Sequence, residues 1–230
     1  MSNIVVGIEG LVGSGKTSIC RNLIKKIPNS ILLNGGNLYR AIVYIMMKNG
    51  STIEKMKKSG KSLDIREMID KLKIKVEIEN NETVVVVNGQ KLLEKDLQSK
   101  ETSLAVSEVS NTADNANAFI FVRELVENLK QKYNVIFSGR AIMKIYPECD
   151  YHFFVIADLD ERVKRKCMQY ENLEKESEIR ENIIKRDKLQ KKSGFYEYSP
   201  ITIEIDVTEC KSVEESTEKV LQRIKIEETI

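Results

Sequence analysis

The residues best suited to chemistry are Gly10-Leu11-Val12-Gly13-Ser14-Gly15-Lys16-Thr17, a glycine and four residues followed by Gly-Lys-Thr, set between a strand-like run and a helix-like run. Glycines let a backbone curl until its N–H groups surround phosphate oxygens, and the helix N-terminus behind them adds a favourable dipole. In such a loop Lys16 would neutralise the β- and γ-phosphates of ATP, and the Thr17 hydroxyl would ligate Mg²⁺. Motors, GTPases and kinases share this spacing. The sequence has no Asn-Lys-x-Asp segment of the kind that specifies guanine, and it is short for a motor. A small-molecule kinase is the expected class.

A kinase needs a second site that holds the acceptor in line with the γ-phosphate, mostly with arginines. Open α/β sheets place ligands at the carboxyl ends of their strands. Two arginines follow strand-like runs closely: Arg40 in Asn34-Gly35-Gly36-Asn37-Leu38-Tyr39-Arg40, and Arg140 in Ser138-Gly139-Arg140.

The elements that must position these groups read as an alternation. Apolar runs at 4–8, 31–33, 135–137, 152–156 and 201–205 suit strands of a parallel sheet, and helical spacing appears at 17–26, 38–48, 160–170, 177–191 and 213–224. Strands alternating with helices predict an α/β fold, a five-stranded parallel sheet covered by helices on both faces. Residues 73–92 break the pattern: polar–apolar alternation, a turn at 80–82, a β-branched run and then Asn88-Gly89 predict a small antiparallel β insert. One domain over 1–230 is expected, with core at 1–71, 102–160 and 196–230, the insert at about 72–101 and a helical lid at about 161–195.

Composition narrows the class further. The chain has 230 residues, 41% hydrophobic and 31% charged, enough for one core with a modest insertion. A net charge of +2 argues against a dedicated nucleic-acid binder. The four cysteines have no metal-ligand spacing, and no run is apolar enough to span a membrane. A cytoplasmic monomer with small nucleotides as partners is the expectation.

In this order the motifs resemble bacterial cytidylate kinase, of the nucleoside monophosphate kinases. The phosphate loop is followed by Asn34 to Arg40, the β insert, Glu108-Val109-Ser110-Asn111, Val122-Arg123-Glu124, Ser138-Gly139-Arg140-Ala141, and lid segments Asp160 to Lys166 and Lys185-Arg186-Asp187. The resemblance implies ATP-dependent phosphorylation of CMP or dCMP. It implies that Arg40, Arg123 and Arg140 grip the acceptor phosphate, that Asn34, Gly36 and Tyr39 contact the acceptor, and that Arg162, Arg165 and Arg186 close over ATP. Asp114 takes the place of a base-reading serine, or Ser107 does in a competing register, and Gln190 stands where the family has an aspartate.

The acceptor side departs from the family. Its aspartates become Asn34, Ser138 and Ala141, and a late arginine becomes Ser193. Losing paired polar groups can redirect specificity. Two alternatives therefore stay open: a different monophosphate or small phosphorylated metabolite as acceptor, or a nucleotide-binding protein with weak transfer. Glu9 is a candidate for the Mg²⁺ water shell. His152 is expected in the core, Met46 and Met47 on a helix core face, and Asp158 as a helix cap.

Overall fold

The computed structural model describes residues 2–50, 54, 69–109, 116–170 and 175–224. Its strands are β1 (Val5–Gly10), β2 (Ser30–Asn34), β3 (Ile74–Glu79), β4 (Glu82–Val87), β5 (Gln90–Lys91), β6 (Asn134–Ser138), β7 (Tyr151–Ile156) and β8 (Thr202–Asp206). They form one sheet in the order β3–β4–β2–β6–β1–β7–β8, with β5 beside β4. The helices are α1 (Lys16–Lys26), α2 (Gly35–Lys48), α3 (Glu94–Leu97), α4 (Lys100–Val109), α5 (Ala116–Lys130), α6 (Ile142–Ile145), α7 (Leu159–Gln169), α8 (Glu176–Lys192) and α9 (Val213–Leu221).

Strands β2, β6, β1, β7 and β8 run parallel, as the alternation of elements predicts. Side chains alternate across a strand, so a strand buried on both sides feeds two cores. Val5, Ile31, Leu33, Val135 and Phe137 enter one core with Leu38, Ala41 and Ile42 of α2 and Val126 of α5. Val6, Ile8, Leu32, Ile136, Phe153 and Val155 enter the opposite core with Ile19, Cys20 and Leu23 of α1 and Val220 of α9. Met46 and Met47 pack against Val43 and Ala105 where α2 meets α4, the apolar role expected of them.

The insert forms as an antiparallel β3–β4 pair with β5 turning back on β4. Asn80, Asn81, Asn88 and Gly89 all have positive φ, the left-handed pairs that tight hairpins demand. The insert also joins the main sheet, because β4 runs parallel to β2 at Leu32 and Glu82. Arg21 of α1 ties the same corner with a two-pronged ion pair to Glu82 and a further one to Glu94.

Asp158 occupies the N-cap position of α7, but its side chain makes no capping hydrogen bond. The expected strand at 201–205 begins one residue later, leaving Ile201 exposed. Helices α3, α4 and α5 occupy a stretch where the sequence pattern announces none.

Strand β1 ends at Gly10, where the chain leaves the sheet to form the loop. Gly10 has φ 148°, and a Cβ there would lie 2.1 Å from the Val155 carbonyl oxygen of β7. Leu11 N–H donates to that same oxygen. The close approach admits only glycine. Gly10→Ala should therefore lower the unfolding free energy by at least about 2 kcal/mol. A urea-denaturation midpoint indistinguishable from that of the unaltered chain would refute this.

Candidate active site

The loop from Gly10 to Thr17 joins β1 directly to α1. Gly13 and Gly15 have φ 81° and 93°, so the backbone curls as a phosphate cradle requires. Lys16 Nζ donates to the Gly10 and Leu11 carbonyls at 2.9 and 3.0 Å, folded back across its own loop. Burial, and then the charge of Arg140, holds the Lys16 amine well below its usual range. The Ser14 hydroxyl is fully buried and has no hydrogen-bond partner among the described residues. A buried hydroxyl without a partner is destabilising unless a ligand engages it.

Beyond the loop opens a cavity of about 950 Å³. Gly13 to Thr17 form one wall; Asn34, Gly36, Tyr39 and Arg40 from the start of α2 form another. Arg140, Arg165, Lys166, Arg186 and Gln190 line it between those walls, and Glu94 and Glu161 are the carboxylates of its lining. The structure thus brings Arg40, Arg140, Arg165 and Arg186 to the phosphate loop from four places in the sequence.

These cations press on one another. Burial and then Arg186 and Arg140 pull Arg40 down to about 9. Burial and then Arg140 lower Arg186, whose Nε is buried without a partner among the described residues. Burial and then Arg186 and Arg40 bring Lys166 to about 8. In each case burial is the larger cause and the neighbouring cations add to it, so an anion entering among them would relieve both. A polyphosphate with its acceptor phosphate would supply that negative charge. Burial raises Tyr39 beyond its ordinary range, so it stays a neutral phenol.

Neutral oxygens aim Arg40 and Arg140. Arg40 donates to the Leu97 carbonyl and Ser103 hydroxyl at 2.9 and 2.8 Å. Arg140 donates to Gln190 Oε1 and to the Gly139 carbonyl. Arg165 donates to the carbonyls of Ser14 and Val207 at 3.1 and 2.8 Å, linking the loop to the end of β8, and pairs through Nε with Glu161 at 3.0 Å.

Several expected residues are placed elsewhere. Arg162 is buried behind the loop, donating to the carbonyls of Ala157 and Val12 and to Asp187. Arg123 is not among the residues lining the cavity; it makes a two-pronged pair with Glu148 at 2.9 and 2.7 Å and lies over the Tyr146 ring. Asp114 lies outside the described residues, whereas Ser107, the alternative position, is buried in the cavity wall. Glu9 does not face the loop. Strand alternation turns it to the opposite side of the sheet, where it accepts the Ile142 N–H and lies 3.4 Å from His152 Nε2. His152 is fully buried, with Nδ1 2.8 Å from the Thr202 hydroxyl, as a core histidine.

Two cavity residues escape the sequence reading. Lys166 follows Arg165 on α7, and a lysine in a mixed-charge helix gives no sign of burial. Asn37 is buried with Oδ1 lacking a partner among the described residues, one turn before Arg40. Among the described residues no group of three or more metal-ligating side chains forms. An ion here would take Thr17, water and phosphate oxygens, as Mg²⁺ prefers. No helix among the described residues is long and apolar enough to cross a membrane.

The comparisons agree with this geometry. The family profile described as "Cytidylate kinase" matches residues 6–226. A cytidylate kinase of Clostridioides difficile (strain 630) is 28% identical over 240 residues, covering 98% of this chain and 100% of that one. A cytidylate kinase of Clostridium botulinum (strain Loch Maree / Type A3) is 30% identical over 177 residues, covering 74% and 71%. A third, from Bacillus anthracis (strain A0248), is 26% identical over 229 residues, covering 96% and 94%. With the profile spanning the phosphate loop, the insert and helices α7 and α8 alike, the chain belongs to the cytidylate kinase family.

Proposed function

We propose that the protein transfers the γ-phosphoryl group of ATP to CMP or dCMP, giving ADP and the diphosphate. The observation that carries this reading is the meeting of Lys16, Arg40, Arg140 and Arg186 on one cavity beside the phosphate loop. Phosphoryl transfer between phosphates needs little covalent help, so positioning and charge account for the catalysis. The loop N–H groups and Lys16 hold the β- and γ-phosphates. Arg40 and Arg140 hold the acceptor phosphate in line, and Arg186 and Lys166 neutralise charge spreading over the transferred group. Arg165 sets the loop against the end of β8, and Arg162 supports it from behind. Thr17, with water, would hold the Mg²⁺ that accompanies ATP, and the ion would supply positive charge against the phosphate oxygens. A monomer in the cytoplasm is the expected setting.

One observation favours a second reading, in which the acceptor differs from CMP. Gln190 and Ala141, where the resemblance calls for carboxylates, supply none at those two positions to read hydroxyls or amines on the acceptor. Coupled ADP-release assays across all ribo- and deoxyribonucleoside monophosphates decide it: CMP or dCMP should give the highest kcat/KM, and any other winner would replace the first reading.

Lys16→Ala should reduce kcat by roughly 10³-fold or more, and Arg140→Ala by roughly 10²-fold, each as the loss of a charge aimed at the transferred or accepting phosphate. Wild-type turnover in Lys16→Ala would overturn the mechanism. The pH profile tests Lys166. Its amine loses its proton as pH rises through about 8 in the ligand-free protein, which removes positive charge from the site. Since kcat/KM reports groups of the free enzyme, it should fall on that alkaline limb. Lys166→Arg should move the limb upward; an unmoved limb excludes Lys166 as its source.

A further inference from the structure

Asp187 and Tyr196 lie behind the cavity rather than in its lining, yet they connect its two halves. Asp187 Oδ1 accepts the Val12 N–H at 3.1 Å and the Tyr196 hydroxyl at 2.7 Å. Its Oδ2 accepts from Arg162, which also donates to the Val12 carbonyl at 3.1 Å. Both backbone groups of Val12 are thus held, while its side chain is buried with Val163, Ile179 and Ile183 of α7 and α8. On the other side, the Tyr196 hydroxyl lies 2.7 Å from Gln190 Oε1, the oxygen that accepts from Arg140.

A phenol has one proton, and here two acceptors compete for it. Burial raises Tyr196 beyond its ordinary range, so the proton stays on the oxygen at working pH. We propose that Asp187 and Tyr196 are positioning residues that couple acceptor binding to the grip on ATP. The proposal rests on the reading of Arg140 as the group that holds the acceptor phosphate. When Arg140 turns from Gln190 to that phosphate, Gln190 Oε1 is freed and draws the Tyr196 proton. Asp187 Oδ1 then serves Val12 alone, and the phosphate loop is held more firmly. Acceptor binding therefore tightens donor binding, with the shared proton as the element that both sites bias.

Calorimetry with a non-hydrolysable ATP analogue tests this, with and without saturating CMP and, separately, saturating inorganic phosphate. Phosphate asks only for the arginines, so an effect with phosphate and none with CMP counts against the acceptor assignment and not against the coupling. In the unaltered chain the occupied acceptor site should tighten analogue binding on the order of fivefold or more. Tyr196→Phe keeps the ring against Phe154 and removes only the bridge. It should bind the analogue more tightly than the unaltered chain without acceptor, and the acceptor effect should shrink to within about twofold. Asp187→Asn should lose the same effect but bind the analogue more weakly throughout. A residue that only stabilised the fold would weaken binding in both variants. That result, an undiminished acceptor effect in Tyr196→Phe, or no effect with either probe in the unaltered chain would overturn the coupling.

Discussion

Everything around the site answers to one constraint: several cations must stay close together, out of bulk water, without being neutralised. Like charges in a medium of low polarity repel strongly, and the depressed Lys16, Arg40, Lys166 and Arg186 register that repulsion together with the loss of water. Among the described residues the protein pairs none of Lys16, Arg40, Arg140 and Arg186 directly with a carboxylate. It restrains Lys16, Arg40 and Arg140 mainly with backbone carbonyls, a serine hydroxyl and an amide oxygen. Such dipoles aim a cation while leaving its full charge for a ligand. Asp187, whose carboxylate is set close behind the loop, is occupied with Arg162, Val12 and Tyr196. The result is a site organised in advance for a more highly charged anion than one phosphate.

Holding the cations so requires rigid supports on every side. Ala141 follows Arg140 with φ 54°, a left-handed conformation that disfavours residues with a Cβ. The turn persists because Glu9, reaching from β1 beneath it, accepts the N–H of Ile142. Arg140 therefore inherits its direction from the same strand that ends in the phosphate loop. Arg40 inherits its direction from α2, which begins at the end of β2 and packs on α4. The phosphate loop, the Arg140 turn and the start of α2 all extend the parallel strands β1, β6 and β2, which is why they meet at the carboxyl edge of the sheet.

How much of this was legible in the sequence depended on how locally each feature is encoded. The phosphate loop is local, eight consecutive residues with their own glycine geometry, and it was readable in full. The parallel strands were readable because burial on both faces leaves near-continuous apolar runs, and the two turns of the insert because left-handed asparagines and glycine announce themselves. Helix α4 was not, since its buried face carries Thr102, Ser103, Ala105 and Ser107, which give no amphipathic stripe. Arginines were the hardest. Arg123 and Arg140 are the same residue type in equally plausible motifs, but Glu148 engages one and a neutral glutamine the other. Only the fold decides which arginine keeps its charge available. Glu9 misled for a related reason: proximity to the loop in sequence says nothing about which face of β1 a side chain takes, and the alternation places it opposite.

The same reasoning separates Arg162 from Arg165, although they lie three positions apart on one helix. Arg162 is buried, and its hydrogen bonds reach two carbonyls and Asp187; Arg165 borders the cavity and binds the carbonyl of Ser14. Both brace the phosphate loop, one from behind and one from the side. Val12 adds a third brace by burying its side chain among residues of α7 and α8, so the loop's second variable position is structural although the loop pattern leaves it free. The loop and these two helices are consequently joined through packing as well as charge. A displacement of α8 would carry Asp187 with it and alter the hold on Val12, whereas Lys16, tied to the loop's own carbonyls, would keep its place. The loop owes its local curvature to glycines, and its orientation in the site to a helix that lies 175 residues away in the chain at the Val12–Asp187 contact.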